Sequence, residues 1–383
     1  MFFLSENSSA NDCSFKRRKT ILSKSILIFL LVFCALGEWK LEADETKVQA
    51  RKTSKHEMGF HPYTQEGYFQ AWNYSFTDDQ TWIFATFIVS NLGPGTKNCG
   101  VSLVVYDKQN GTQFSTREYS KDELKAENGN LELEIYDSSV YKGEGGPEIK
   151  MITDTAELVI SYKTGWSKAV SLSGGKIHLP EKDSFVQADM AFSSVPAKGY
   201  LVLNGNRMEL NGRGGMEHLL TNYEVYKYSR RWELYRSINS AGERLFAGGF
   251  IGNENFPEEE IRTVSALDPS GKMLFSAKVL KSEVLESETE PFSGYHLPIK
   301  EKFYLDESGS CSLTVSRKHT IGQIYVLSNI SAVLRFFVRL FFTKPYQLYY
   351  ITDSKLDCAQ VPEGNLPKDK NFRGIFSYYL INP

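Results

Sequence analysis

From Gly67 onward the chain is a series of short apolar or alternating runs. Each closes on a turn signal after about ten residues, and that cadence restricts the chain to antiparallel β-structure. Tyr68 to Phe76 and Trp82 to Val89 read as strands separated by the turn Thr77-Asp78-Asp79-Gln80. Gly100 to Tyr106 runs into Asp107-Lys108-Gln109-Asn110-Gly111, whose Asn-Gly pair suits a hairpin. Leu131 to Tyr136 (LELEIY) alternates apolar and acidic residues, the period of a half-buried strand. Ala156 to Tyr162, Phe185 to Phe192 and Tyr200 to Leu203 continue the series, and Phe376 to Ile381 supplies a closing strand. Aromatic residues make up 13% of the chain, with 21 Tyr and 25 Phe, which favours strands over helices. The expected fold class is all-β, as an antiparallel barrel or sandwich. A chain of 383 residues suggests two domains, each able to bury a core.

The N-terminus carries a targeting pattern. Lys16, Arg17, Arg18 and Lys19 precede the eleven-residue apolar run Ile26–Leu36, and Ala35-Leu36-Gly37 offers small residues for cleavage before Glu38. Residues 1–37 are therefore expected to be a removed signal peptide, with an uncleaved anchor as the alternative. The run is short for a span, which needs about 20 residues. Cys34 invites a lipoprotein reading, but Phe33 stands where a small residue is expected. Residues 38–65 are polar and read as a linker. Cys99, Cys311 and Cys358 remain after cleavage; Cys311 and Cys358 could pair, or all three could be buried thiols.

The centre of the exported part is Gly212 to Trp232 (GRGGMEHLLTNYEVYKYSRRW). Three glycines lead into Glu217 and His218, the candidate catalytic acid and imidazole. Neighbours on a strand face opposite ways, so only one of the two can point into a barrel unless a bulge intervenes. A structural hydrogen bond between barrels is the competing role. The glycines precede no Lys-Ser/Thr and no helix, so they suit a bulge or close backbone approach better than a phosphate loop. Trp72, Tyr74, Trp82, Tyr223, Tyr226 and Trp232 are candidate ligand-binding residues for an apolar cavity, or else core. The opening pattern also recurs: Trp72 with Phe84-Ala85 has a counterpart about 160 residues later in Trp232 with Phe246-Ala247.

Ile330 to Phe342 (ISAVLRFFVRLFF) breaks the β-texture with helical periodicity. Phe337 and Phe341 lie on a wide apolar face, and Arg335 and Arg339 lie opposite. It is expected to be an amphipathic helix, packed on a barrel or lying on a membrane surface through those four residues.

These residues together resemble the tandem-lipocalin (calycin) family, which includes AttH-like proteins, carotenoid hydratases and survival-factor-like lipid carriers. The hairpin Trp72…Asp79…Trp82 to Asn91, with Ser90-Asn91-Leu92-Gly93, carries the likeness, as does the Gly212–Trp232 stretch. The resemblance covers roughly residues 66–383. It implies two tandem lipocalin-like barrels, 66–227 and 228–383, with an apolar ligand in or between them. In the hydratase branch, acid and base residues near this central strand act on a polyene, and only Glu217 and His218 match. Leu219-Leu220 and Tyr378-Tyr379 depart from that pattern and weaken catalysis while leaving binding intact.

Net charge is −2, with no polybasic surface for nucleic acid. The six histidines are scattered, with no metal-ligand spacing, and no Gly-x-Ser-x-Gly elbow occurs. No metal or cofactor is expected. The first functional expectation is an exported periplasmic or secreted carrier of a lipid or isoprenoid. The alternatives are a cofactor-free hydratase, cyclase or isomerase, and a stress-survival protein without a ligand.

Overall fold

The strand runs condense into two curled antiparallel sheets, one nearly closed into a barrel and one a half-barrel. The structure is a computed structural model describing residues 50–78, 80–91, 98–108, 111–164, 169–254, 256, 260–325 and 345–381. Residues 1–37 and the segment Ile330 to Phe342, with Arg335, Phe337, Arg339 and Phe341, lie outside the described residues. Among the described residues there is no α-helix.

The first sheet holds β1 (Arg51–Lys52), β2 (Tyr68–Thr77), β3 (Thr81–Ser90), β4 (Asn98–Asp107), β5 (Gly111–Ser120), β6 (Leu124–Ala126), β7 (Leu133–Ile135), β8 (Ser138–Lys142), β9 (Pro147–Ile152), β10 (Ala156–Tyr162), β11 (Val170–Ser171), β12 (Ile177–His178), β13 (Phe185–Leu203) and β14 (Asn206–Asn222). Its main order is β5-β4-β3-β2-β14-β13-β10-β9-β8-β7-β6. The second holds β15 (Ser229–Ile238), β16 (Arg244–Gly252), β17 (Glu260–Leu267), β18 (Met273–Lys278), β19 (Lys281–Thr289), β20 (His296–Tyr304), β21 (Cys311–Tyr325), β22 (Tyr346–Cys358) and β23 (Asn371–Leu380). Its order is β18-β17-β16-β15-β23-β22-β21-β20-β19.

β13 and β14 form the longest hairpin of the first sheet. Asn204 (φ 50°) and Gly205 (φ 82°) make its turn, the left-handed pair that a two-residue hairpin loop demands. Irregular register between Met190 and Val195, with Ser194 at φ 49°, bends β13. The half before the bend pairs with β11 and β12, and the half after it with β10.

Strand alternation sorts side chains into two interiors and a seam. Tyr68, Trp72, Tyr74, Phe76, Phe87, Tyr162 and Met216 belong to the first interior. Tyr235, Val264, Phe303, Leu348, Phe376 and Tyr378 belong to the second. Outward-facing residues of the two sheets meet in three further clusters. Phe84 and Val104 pack with Ile321, Tyr349 and Ile375; Leu179 and Val186 with Phe250 and Ile261; Val170 and Met190 with Phe246 and Leu267. Strands such as β17 are thus buried on both faces.

Residues 50–63, read from composition as part of a linker, are packed against the first sheet. β1 pairs with β11, Met58 is fully buried, and Phe60 joins the first interior. Composition misled here because two apolar side chains suffice to anchor a polar segment. The opening hairpins correspond only in part. Phe84 and Phe246 both face the seam and Ala85 and Ala247 both face inward, but Trp72 points into its barrel and Trp232 points out. Cys311 and Cys358, cross-strand partners on β21 and β22, form a disulfide, and Cys99 is a buried free thiol.

Candidate functional site

Glu217 and His218 divide between the two faces of β14. His218 lies in register with Trp72 of β2 and Asp189 of β13, so the three form one row across the first interior. Gln70 and Gln187 flank Leu220 in the next row. His218 Nδ1 and Asp189 Oδ2 are 2.8 Å apart, and neither side chain is exposed. Gln70 fixes the direction of the chain. Its Oε1 accepts from the His61 amide (2.9 Å) and the Tyr68 hydroxyl (3.0 Å). Its Nε2 donates to the Gly59 carbonyl (2.7 Å) and to His218 Nε2 (2.8 Å). Every hydrogen-bonding capacity of this amide is used, so His218 Nε2 accepts and Nδ1–H donates to Asp189. Gln187 Nε2 also donates to Asp189 Oδ2 at 2.8 Å, while Asp189 Oδ1 is buried without a partner.

Trp72 and Tyr74 share this interior. The Trp72 indole donates to the Met58 carbonyl at 2.8 Å, and its ring lies 6.0 Å from that of His218. Tyr74 packs against Phe87 and Tyr162, and its buried hydroxyl has no partner. Burial drives the pKa of that hydroxyl well above the ordinary tyrosine range, so it remains an O–H donor.

Glu217 faces the seam. Both its oxygens accept from Arg236 of β15, and Asn73 Nδ2 donates to one of them at 3.2 Å. Arg236 Nη1 reaches the Ser377 hydroxyl at 3.0 Å. Burial alone would lower the Arg236 pKa, but the Glu217 carboxylate overrides it and raises it. Both oxygens of this carboxylate are thus engaged as acceptors.

The other aromatic candidates also face away from the first interior. Trp82 packs against the seam beside Tyr106, and Lys108 Nζ sits 5.6 Å from its ring. Tyr223 and Trp232 pack on the seam cluster around Tyr228 and Phe250. Tyr226 lies in the turn before β15, and its carbonyl accepts from Asn253 at 2.8 Å. The structure therefore unites Trp72 and Tyr74 with His218, but not with Glu217, Trp82, Tyr223, Tyr226 or Trp232. A seam cleft of about 260 Å³ is lined by Met190, Phe192, Ser193, Arg244 and Leu267, among others.

The glycines act by close approach. A Cβ on Gly212 would lie 2.2 Å from the Thr77 carbonyl oxygen, and one on Gly214 would lie 2.1 Å from that of Ser75.

Sequence reading missed Asp189, Gln70 and Gln187. Each is a polar residue at an inward position of an apolar strand, and that parity is the signal that could have found them. It also missed a charged group inside the second sheet. Arg262 Nη1 donates to Glu233 (2.7 Å) and Glu301 (3.0 Å), and Arg231 donates to Glu233 at 2.6 Å. Burial pushes the Glu301 carboxyl up to about 7, and nearby Glu233 adds to the rise against Arg262 and Arg231. No group of His, Cys, Asp and Glu among the described residues could hold a metal ion.

Together these features define a lipocalin-like β-fold of one nearly closed barrel and one half-barrel, in which the polar groups are few and placed at chosen points of apolar interiors. No protein-family profile matches the sequence, and neither does any curated protein. Among solved structures, a putative AttH from Nitrosomonas europaea aligns with TM-score 0.58 and 10% identity, over 85% of this chain and 95% of that one. Kievitone hydratase from Nectria haematococca aligns with TM-score 0.53 and 11% identity, over 87% and 97%. CghA aligns with TM-score 0.50 and 9% identity, over 87% and 98%. At such identities the likeness concerns the fold.

Proposed function

We propose that this chain is an exported lipocalin-like protein that binds a hydrophobic small molecule, a lipid or an isoprenoid, with the first barrel interior as its chamber. The observation that carries this is the composition of that interior. Apolar and aromatic walls surround a small cluster of polar groups in neighbouring rows, and two polar atoms of this interior, Tyr74 Oη and Asp189 Oδ1, are buried without partners. Apolar ligands are oriented by such sparse polar groups. The Cys311–Cys358 disulfide supports export, since such bonds persist in oxidising compartments. The two sheets would be the two lipocalin-like domains, dividing between Asn222 and Ser229.

One observation favours an enzymatic variant of this reading: the buried His218–Asp189 pair could move a proton at a polyene. In that variant His218, not Glu217, is the residue at the substrate. Native mass spectrometry with organic extraction, on protein purified from its own host, tests both. A co-purifying apolar molecule is expected. A chemically altered one would favour the enzyme, and none, with no quenching of Trp72 by polyene probes, would overturn the proposal.

A further inference from the structure

The cleft of about 260 Å³ where the two sheets meet has an unbalanced charge. β13 of the first sheet gives it Met190, Phe192 and Ser193, and the second sheet gives it Arg244 of β16 and Leu267 of β17. Arg244 keeps only 8% of its surface exposed. Its Nη2 donates to the Ser194 carbonyl at 3.4 Å, and its Nε is buried with no partner. The same carbonyl accepts from Nη2 of Arg213, whose Nε donates to the Ser194 hydroxyl at 2.9 Å. Two guanidiniums thus share one uncharged oxygen, and no carboxylate among the described residues forms an ion pair with either. The Ser193 hydroxyl, in the same cleft, is also buried without a partner. Buried polar groups in folded proteins are nearly always satisfied, so a donor pair of this kind calls for an acceptor.

The backbone is shaped around this point. β13 leaves its register with β14 between Phe192 and Val195, which takes Ser193 and Ser194 out of the pairing. Ser194 adopts φ 49°, a left-handed conformation that is costly for a residue with a side chain. Strained positions of this kind collect at ligand-binding sites. Electrostatics also set Arg244 apart. Burial lowers the pKa of Arg236 and Arg262, and carboxylates more than reverse it. For Arg244, burial lowers the pKa, Arg213 lowers it further, and Asp268 opposes them only in part. Asp268 Oδ1 is itself engaged by the Ser270 hydroxyl at 2.7 Å and the Lys272 amide at 2.9 Å. An arginine keeps its proton under such pressure, so what the cleft lacks is negative charge. Lys163, exposed at the rim, adds a third cation.

We propose that this cleft binds a phosphate dianion, held by the Arg244 guanidinium and the Ser193 hydroxyl, with Arg213 and Lys163 balancing its charge. The ligand would bridge the two sheets. Its class follows from the charges: three cations face one carboxylate, an excess that a dianion cancels and a single carboxylate does not. The planar guanidinium fork also matches phosphate oxygens. Met190, Phe192 and Leu267 make the rest of the wall apolar, so the phosphate can be a free ion or the head of a small ester. The site lies outside both interiors and does not depend on the chamber reading.

Isothermal titration of the purified chain with inorganic phosphate, phenyl phosphate, acetate and chloride tests this. Ionic strength is held fixed at about pH 8, well above the second pKa of a phosphate. Phosphate is expected to bind about tenfold more tightly than acetate or chloride, the scale of one charge-assisted hydrogen bond. Phenyl phosphate binding more tightly than phosphate identifies an ester as the occupant, and binding no more tightly identifies the free ion. Arg244→Gln should weaken phosphate about tenfold, and Ser193→Ala about fivefold, the scale of one ordinary hydrogen bond. Should Arg244→Gln fail to fold, Ser193→Ala decides alone, because that hydroxyl has no partner within the protein. Phosphate that binds no more tightly than acetate would overturn the site. So would a folded Arg244→Gln protein, or a Ser193→Ala protein, that binds phosphate like the parent.

Discussion

Glu217 of β14 and Arg236 of β15 meet as a two-pronged ion pair across the seam between the two sheets. Their side chains are only 13% and 12% exposed, so each charge depends on the other for solvation. The residue that looked most like a proton donor in the sequence is thereby a tie between sheets, and its neighbour His218 is left as the polar centre of the first interior.

Glu217→Gln should therefore act on stability and leave ligand content unchanged. Removing one partner of a largely buried pair strands the other, at a cost of about 2–4 kcal/mol in chemical denaturation. Replacing both Glu217 and Arg236 with Met should recover most of that loss. A Glu217→Gln protein that melts normally but loses ligand handling would return this residue to the site.

The hydrogen-bonded chain Gln70–His218–Asp189 makes a spectroscopic claim. Long-range 1H–15N spectra should find His218 with its proton on Nδ1 and Nε2 acting as acceptor. Gln70→Leu removes the donor that holds Nε2 and should destabilise the protein by about 1–3 kcal/mol. An Nε2–H tautomer in the parent would refute the network as described.

Gly214→Ala should destabilise the first barrel by about 2 kcal/mol or more. The new methyl meets the Ser75 carbonyl oxygen, which belongs to the neighbouring strand and cannot rotate away. Gly111→Ala, where a Cβ meets nothing within 4 Å, isolates backbone strain from contact, since its φ of +75° still disfavours a side chain. Thermal melts of the two variants separate the effects, and an unperturbed Gly214→Ala would mean that β2 and β14 are further apart.

Glu301 gives a pH dependence with a defined sign. Its carboxyl is raised from the ordinary 4.5 to about 7, mainly by burial and then by Glu233, against Arg262 and Arg231. Between those values the folded state holds more of this proton than the unfolded chain does. Its contribution is thus complete below about 4.5 and is lost as pH rises through about 7. The loss should be on the order of 1–3 kcal/mol, and Glu301→Gln should flatten that segment of a stability–pH curve. Glu233 is shifted the other way, with burial outweighed by Arg231 and Arg262, so its contribution is lost as pH falls through the acid range. A parent curve that rises between pH 5 and 7 as steeply as that of the variant would disprove the Glu301 assignment.

Replacing Cys311 and Cys358 together with Ser should cost about 4 kcal/mol by the loop-closure argument for a separation of 47 residues. Urea denaturation with and without reductant checks this. Equal midpoints in both conditions would mean that the pair is reduced in the protein as made.

The sequence by itself determined the β-class, the cadence of most strands and the apolar character of the interiors, because alternation and turn residues act over a few neighbours. It also established that Glu217 and His218 must face opposite ways, a consequence of strand pleating alone. Which of them faced the first interior was decided only by tertiary structure. So was the meeting of His218 with Asp189, 29 residues earlier, and with Gln70, 148 residues earlier. Register sets those pairings, and register depends on where the bulge near Ser194 falls and on which side of β14 the second sheet packs. The charged groups inside the second sheet were hidden for the same reason. Arg262, Glu301 and Arg317 each look like a solvated residue in a polar stretch, and only the curl of the sheet turns them inward. The segment 50–63 shows the converse. Its polar composition gave no sign of an anchored strand, because Met58 and Phe60 acquire their role from the barrel end they cover.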